Sequence, residues 1–414
     1  LYGNFRKMHK RESLMSISGI CLLFTLLWLS NEMLRNLFPF EGVIVIYLIW
    51  FGFSVLRRPA FLRHVVNNSI FLIVWHANVF VRTVVGVGDG FPAELIYAST
   101  MLMIYFVFLY YKDANQRTKK IIFLTVLAGY TVSAFTTLYY LSLDPNLIRR
   151  SAAGLLESQF YLELYGKGVL NIGGWDYVYS LIGVVLCCLY VYRSNKGEKW
   201  AIIFLALSLL FGYVIVNSSL ATAGILLVIA LVLFLTPQSA ELKNAYIFTI
   251  TVIIIFALPS LRFLATLLST VVTNENYLYK INQFIYEFDG TLNFWSRTRL
   301  MKYSLNTFWD HFFIGVFGFL RYDYSVVSGH VQWIDDLARY GIIFSVAFYL
   351  GAFRVVRNLL DCAIDKLHAK VTRIVLFVVL IMGFTNPVLL IHIYLMIFIF
   401  VPFVGSISGP RKCP

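Results

Sequence analysis

The sequence predicts an all-α, polytopic membrane protein with about twelve transmembrane helices. Of its 414 residues, 59% are hydrophobic and only 13% are charged, whereas about a quarter of the residues of a soluble domain are charged. The apolar residues lie in runs that approach the roughly 20 residues needed to cross a bilayer. Lipid cannot hydrogen-bond a backbone and the runs lack the alternation of barrel strands, so we expect helices.

Seven apolar runs stand out along the chain. They cover residues 14–30, 40–56, 95–111, 121–143, 200–216, 220–236 and 245–258. The first run follows Arg6, Lys7, Lys10 and Arg11, and no small-residue cleavage site comes after it. We therefore expect an uncleaved first helix rather than a signal peptide.

The net charge of +13 is explained by the positive-inside rule rather than by a nucleic-acid partner. With the basic N-terminus inside, alternation places roughly 22 of the 34 Lys and Arg on the inner side and roughly 15 of the 21 acidic residues on the outer side. The opposite threading would reverse this bias. Both termini are therefore predicted to be cytoplasmic.

The same threading predicts one integral membrane domain, 1–414, with two long outer segments, 144–176 and 259–338. Connections this long are usually functional or disordered. The second segment is rich in Tyr, Phe and Trp and has a helical pattern, so we expect it to be ordered and to carry the functional site.

Several classes of site are excluded by what the sequence lacks. No predicted helix carries Asp or Glu near its midpoint, which lowers the expectation of an ion-coupled transporter. The five cysteines have no metal-like spacing, and no Walker loop, His-Glu-x-x-His or Gly-x-Ser-x-Gly motif is present. No acidic pair has metal-ligand spacing, so neither a metal nor a cofactor is expected.

Two polar positions inside predicted helices need an explanation. Arg82 lies near the outer end of the third helix, four residues after Asn78 and on the same face. It is either a cation that extends to the outer headgroups or a functional residue. His392, deep in the last predicted helix, is interpreted as an interhelical hydrogen-bonding group.

The cations of the second outer segment favour an anion site. Ser296 is a plausible N-cap for a helix that runs to about Trp309. On that helix Arg297 and Arg299 are about 200° apart, while Arg299 and Lys302 share a face. A cation in the first turn adds to the positive end of the helix dipole, and Arg offers a fork that matches a diphosphate. The alternative is an amphipathic helix lying on the membrane surface.

A second group of candidates surrounds the start of the next helix, near Val331. His330 could accept a proton near neutral pH, although a single loop His is often structural. Asp335 and Arg339 are four residues apart and are expected to pair. Asp336 lies on a neighbouring face and is available for another role.

The second outer segment, which carries these residues, resembles the signature region of the O-antigen polymerase (Wzy) and O-antigen ligase (WaaL) superfamily. There, a Ser/Gly-Arg pair opens a helix, and Asp-His-Pro and Gly-x-Gly follow. A later His precedes, by eleven residues, a Gly that starts the next helix. Here Arg297 precedes Asp310-His311 and Gly315, and His330 precedes Gly341. The stretches 168–176 and 217–221 resemble the family's Gly/Asn-rich lead and its Ser-Arg-Gly helix start.

The sequence also departs from the family pattern. Phe312 replaces the Pro, Phe317 replaces the second Gly, and Val331 stands where ligase-like members often have Asn. Leu220 stands where many members have Arg. Arg149 and Arg150 in the other outer segment are candidates to replace that phosphate contact.

The resemblance implies a GT-C-like polysaccharide polymerase in a bacterial cytoplasmic membrane, acting without a metal on O-antigen or capsule precursors. Donor and acceptor would be undecaprenyl-diphosphate-linked oligosaccharides, with membrane lipid and a chain-length regulator protein as further partners. Arg297 would stabilise the leaving diphosphate with Arg299, Lys302 or Arg82 as helpers, and His330 would be the base with Asp336 as runner-up. The alternatives are an O-antigen ligase that uses lipid A-core, a lipid-linked oligosaccharide flippase, and a non-enzymatic membrane scaffold.

Overall fold

Regular structure is helical throughout the part of the chain that the computed structural model describes. That part comprises residues 16–85, 91–144, 146–148, 172–237, 294–316, 327, 331–384 and 386–408, with a few positions between 266 and 285. The predicted all-α fold class is confirmed for these residues. The predicted run at 245–258 and most of the outer segment 144–176 lie outside them.

The helices are numbered here in chain order. They are α1 (Ile17–Ser30), α2 (Glu32–Leu37), α3 (Phe40–Arg57), α4 (Pro59–Val85), α5 (Phe91–Tyr111), α6 (Gln116–Leu143), α7 (Trp175–Ser194), α8 (Ala201–Asn217), α9 (Ala221–Leu235), α10 (Phe294–Asp310), α11 (Gln332–Asp361), α12 (Lys366–Met382) and α13 (Ile391–Ser406). The last of these contains a π-helical stretch at Met396–Phe400.

Five of the described helices are long and apolar enough to cross a membrane, namely α3, α4, α6, α7 and α11. Shorter apolar helices of 10–17 residues lie among them, and α1, α8 and α13 belong to this group. Large apolar side chains also face outward, with Leu56 77%, Val216 72% and Leu209 67% exposed. Surfaces of this kind suit a hydrocarbon environment rather than water. The chain is therefore a membrane protein, and the number twelve stays a prediction.

Local capping explains where several helices begin. Asn31 directly follows the first apolar run. Its side chain accepts a hydrogen bond from Leu34 N–H at 3.0 Å and so caps the start of α2. Asn115 caps α6 in the same way through Thr118 N–H at 2.8 Å. The stretch between the first two apolar runs is thus largely a short helix.

The helix α13 lies at the centre of the described packing. Its side chains from Ile391 to Leu395 are all buried, and it contacts α1, α5 and α7. His392 is the second residue of this helix, so the expectation that it lies deep in the last helix is wrong. The central position of α13 brings together helices from distant parts of the chain.

Candidate functional site

The predicted helix of the second outer segment exists as α10, Phe294–Asp310. Its first residue is Phe294, three residues before the start at Arg297 that an N-cap at Ser296 predicts, so Ser296 is the third helical residue and not the N-cap. Arg297 is the fourth residue, at the end of the first turn. The predicted end near Trp309 is one residue short of the observed end.

Helix α10 packs alongside the beginning of α11 in a parallel direction. Ser304 Oγ donates to Asp335 Oδ1 at 2.6 Å. One turn further along both helices, Phe308 packs in a small apolar cluster with Ala338. Because the contact positions advance together along both helices, their N-terminal ends lie at the same end of the pair.

The parallel alignment ends where two glycines meet. Gly315 has φ +68° and Gly341 has φ +65°, a backbone conformation that side-chain-bearing residues rarely adopt. A Cβ on either glycine would lie less than 3.0 Å from backbone atoms of the other segment. Gly341 interrupts α11 with non-helical backbone angles. The two signature glycines are therefore required by one close backbone crossing.

Backbone hydrogen bonds join the two segments at this crossing. Val316 N–H donates to the Ala338 carbonyl at 3.0 Å, and Ile342 N–H donates to the Phe312 carbonyl at 2.8 Å. The turn after α10 is therefore fastened to both sides of the break in α11. This contact fixes the position of α10 relative to the membrane helix that follows it.

Arg82 of α4 anchors the same crossing. Its side chain is 6% exposed, and its Nε donates to Asn78 Oδ1 at 2.7 Å. Its Nη atoms donate to the carbonyls of Ile314 and Val316, and to that of Arg339 at 2.8 Å. The shared face with Asn78 is confirmed, and the alternative of a side chain extending to the headgroups is wrong. The predicted contact of Arg82 with a diphosphate stays a prediction.

The cations of α10 occupy different faces of the helix. Position 297 lies seven residues before Ser304 and hence on the same face, the one that meets α11. Arg299 and Lys302 share another face, and Lys302 is exposed. The side chains of positions 297 and 299 lie outside the described atoms. By backbone register, position 297 shares the face of Ser304, and position 299 does not.

The first turn of α11 is held by buried polar groups. Asp335 Oδ2 accepts from Val331 N–H at 3.0 Å, so this carboxylate caps the helix as well as binding Ser304. Gln332 Nε2 donates to Asp336 Oδ1 at 2.7 Å, and Gln332 Oε1 accepts from Val388 N–H at 3.1 Å. Asp336 is only 3% exposed. Its role as an alternative base, like the expected Asp335–Arg339 pair, stays a prediction.

Three predicted site residues lie outside the described part of the chain. They are His330, Arg149 and Arg150. Val331 is the N-cap residue of α11. The predicted helix start at 217–221 is confirmed, because α8 ends at Asn217 and α9 begins at Ala221.

A cluster of four ionisable side chains, named here the Glu32 cluster, was not predicted from the sequence. It consists of Glu32 and Arg35 of α2, Asp176 of α7 and His392 of α13. Arg35 Nη2 contacts Glu32 Oε1 and lies 2.8 Å from His392 Nε2, while His392 Nδ1 lies 2.9 Å from Asp176 Oδ2. The interhelical hydrogen bond expected of His392 is confirmed. The sequence feature that could have indicated this cluster is the charged pair Glu32 and Arg35, which directly follows the first apolar run.

Neither a protein-family model nor a curated protein matches this sequence. Within the described residues, no group of three or more His, Cys, Asp and Glu side chains is placed to hold a metal ion.

Proposed function

We propose that this protein is a membrane-embedded polysaccharide polymerase that transfers a glycan from undecaprenyl diphosphate to a carrier-linked repeat unit. It works at the outer face of a bacterial cytoplasmic membrane, with about twelve spans, a GT-C-like outer segment and both termini inside. The proposal rests on the motif resemblance together with one observation, the parallel packing of α10 on α11. In that packing the N-terminal ends of α10 and α11 lie at the same end of the pair, and this is the end to which the proposal assigns Arg297 and His330.

The reaction needs a cation and a base. A hydroxyl oxygen of the acceptor sugar forms a bond with the anomeric carbon of the donor, and the bond from that carbon to the diphosphate oxygen breaks. The electron pair leaves on the diphosphate, where Arg297 stabilises the charge that develops. The hydroxyl proton goes to His330. Arg supplies the cation, so no metal is needed, and Arg299, Lys302, Arg149 and Arg150 are further candidates for the carrier's phosphates.

The role of the Arg82 crossing in this proposal is architectural. An anion site of this kind needs its cation held in a fixed position, because a displacement of about 1 Å costs roughly 100-fold in rate. Arg82, Gly315 and Gly341 fasten the end of α10 to α11. The same crossing is equally compatible with a ligase. The identity of the acceptor is therefore what distinguishes a polymerase from a ligase here.

The test is incubation of the purified full-length protein with a synthetic repeat unit linked to undecaprenyl diphosphate, with and without EDTA. A ladder of longer lipid-linked products that persists in EDTA is expected. Transfer to lipid A-core alone would indicate a ligase, and lipid scrambling without any product would indicate a flippase. Loss of the ladder in EDTA, restored by magnesium, would reveal a metal site.

Two substitutions separate the roles of the site residues. Arg297→Lys keeps the charge but loses the fork, and turnover is expected to fall about 100- to 1000-fold. His330→Ala is expected to lower turnover roughly 100- to 10,000-fold while donor binding is retained. Asn306→Ala, at an exposed position of α10, is the matched control. Wild-type turnover in His330→Ala would transfer the base role to Asp336.

A further inference from the structure

Helix α10 ends in exposed aromatic side chains, although it is not one of the described helices that are long and apolar enough to span a membrane. Trp309 is 67% and Phe313 is 68% exposed, and Ile314 beside them is exposed as well. Together with the half-buried Phe312, these residues are named here the aromatic tip. Large apolar side chains grouped on a segment that does not span the membrane mark a surface that another molecule covers.

The aromatic tip is fixed in position by the packing of α10 on α11. The Trp309 ring stacks on that of Phe312, with 5.7 Å between the ring centroids and 5° between the planes. Phe312 in turn packs on Phe308, with a centroid distance of 5.2 Å. Phe308 belongs to the small apolar cluster that also contains Ala338 of α11. The exposed rings are therefore attached to the part of α11 that precedes its break.

Exposed apolar side chains continue from the tip onto α11. Ile343 N–H donates to the Phe313 carbonyl at 3.3 Å, so these two exposed residues are neighbours. Further exposed apolar positions follow at helical spacing, and they are Val346, Leu350 and Phe353. Helix α11 is one of the five candidate membrane spans. The stripe that starts beside the tip is therefore a lipid-facing surface.

A second candidate span also adjoins the tip. Arg82, near the end of α4, donates to the Ile314 carbonyl. The two residues before it, Phe80 and Val81, have exposed side chains. Helix α4 is a candidate span over Pro59–Arg82. The aromatic tip thus adjoins exposed apolar surfaces on both α4 and α11.

The break in α11 gives the depth of the tip. Beyond Gly341 this helix continues to Asp361, which is about 20 residues and the length that crosses the hydrocarbon core of a bilayer. Hydrocarbon therefore begins close to the crossing of Gly341 and Gly315, where the tip also lies. Asp310 and His311 beside the tip are exposed, and ionisable groups of this kind fit the headgroup layer rather than the acyl chains.

We propose that the aromatic tip is immersed in the phospholipid leaflet next to this crossing, at the boundary between headgroups and acyl chains. Trp favours this depth because its ring is apolar while its indole N–H can reach a polar partner. Lys302 lies seven residues before Trp309 and on the same face of α10, where its ammonium group is suited to a lipid phosphate. The tip holds α10 at the membrane surface, and this role goes beyond the proposed transfer reaction and does not depend on it.

The test uses the fluorescence of Trp309 in purified full-length protein reconstituted in phosphatidylcholine nanodiscs. The difference between wild type and Trp309→Phe isolates this emission, and Phe keeps a ring beside Phe312. Phosphatidylcholine brominated near the headgroup end of its acyl chain is expected to quench the emission more strongly than iodide in the water does. Stronger quenching by iodide would place the ring in water, and quenching by neither would mean that protein, such as a second copy of the chain, covers it. Either result would overturn the proposal.

The matched control for this measurement is Trp50→Phe. Trp50 is 1% exposed inside the bundle, so the emission assigned to it by difference should resist iodide. This control shows that the difference spectra report accessibility to the aqueous quencher.

Phe313→Asp provides a second measurement, the melting temperature in the same nanodiscs. A carboxylate at the edge of the hydrocarbon is unfavourable, so this variant is expected to melt below wild type. The matched control is Asn306→Asp, at an exposed and already polar position of α10 two turns before Phe313, which should melt like wild type. An unchanged melting temperature in Phe313→Asp would contradict immersion of the tip. Equal losses in both variants would assign the effect to charge alone and would also contradict it.

Discussion

Two largely enclosed arginines, Arg82 at 6% and Arg35 at 17% exposure, bind their neighbours in different ways. Arg82 donates to Asn78 and to three backbone carbonyls where α10 and α11 cross. Arg35 is surrounded by the Glu32 and Asp176 carboxylates and the His392 ring. Carbonyl groups carry no net charge, whereas carboxylates do. The first arrangement is therefore a junction between a cation and backbone dipoles, and the second is a junction between a cation and charged side chains.

The contrast between Arg82 and Arg35 shows two kinds of partner that a largely enclosed cation can bind in a membrane protein. Charged residues in such proteins are rare and usually mark function, yet the Arg82 junction is explained by the chain crossing that it stabilises. The Glu32 cluster links α2, α7 and α13 through contacts between residues up to 357 positions apart.

The largest effect is expected for Gly341→Ala, which disrupts the crossing of α10 and α11 and leaves the Glu32 cluster unchanged. An added Cβ would meet the backbone of Phe313, Ile314 and Gly315 at less than 3.0 Å, and the positive φ would strain it further. Failure to fold, measured as lost expression of monodisperse protein, is expected. Gly212→Ala is the control, since nothing lies within 4 Å of its Cβ and alanine favours helix by about 1 kcal/mol. A well-folded Gly341→Ala would contradict the close crossing.

The second-largest effect is expected for the loss of either arginine. Arg82→Gln leaves buried carbonyls without their donor, at roughly 1–3 kcal/mol for each, and Arg35→Gln leaves two carboxylates facing each other. Both variants should melt well below wild type at pH 8. On acidification the Arg35→Gln deficit is expected to shrink because a carboxyl is protonated, while the Arg82→Gln deficit persists. Arg63→Gln, exposed on the same helix as Arg82, is the control, and equal pH dependence of the two deficits would erase the distinction.

The smallest effect is expected for Ser304→Ala. It removes one hydrogen bond from the junction side, the 2.6 Å contact with the buried Asp335 carboxylate, which corresponds to about 1.5–3 kcal/mol. The melting temperature should fall modestly, and Asn306→Ala on the exposed face of α10 should not lower it. An unchanged melting temperature in Ser304→Ala would mean that the α10–α11 packing does not depend on this contact.

Much of the fold was predictable because its causes are local. The apolar runs, the pairing of Asn78 with Arg82, and the helix after position 331 each depend on residues within a few turns of one another. The helix α10 was located for the same reason, although its start was misplaced at Ser296. In the candidate site, the choice of Arg297 over Arg299 came from the family resemblance and stays a prediction.

The sequence by itself determined that this chain forms apolar helices suited to a membrane, because lipid forces each helix to satisfy its own backbone hydrogen bonds. Only the tertiary structure decided that Gly315 meets Gly341, that Arg82 binds a carbonyl 234 residues away, and that Glu32 shares a cluster with Asp176 and His392. These contacts depend on how the helices pack, and packing follows from the shapes and charges of side chains that no local pattern brings together.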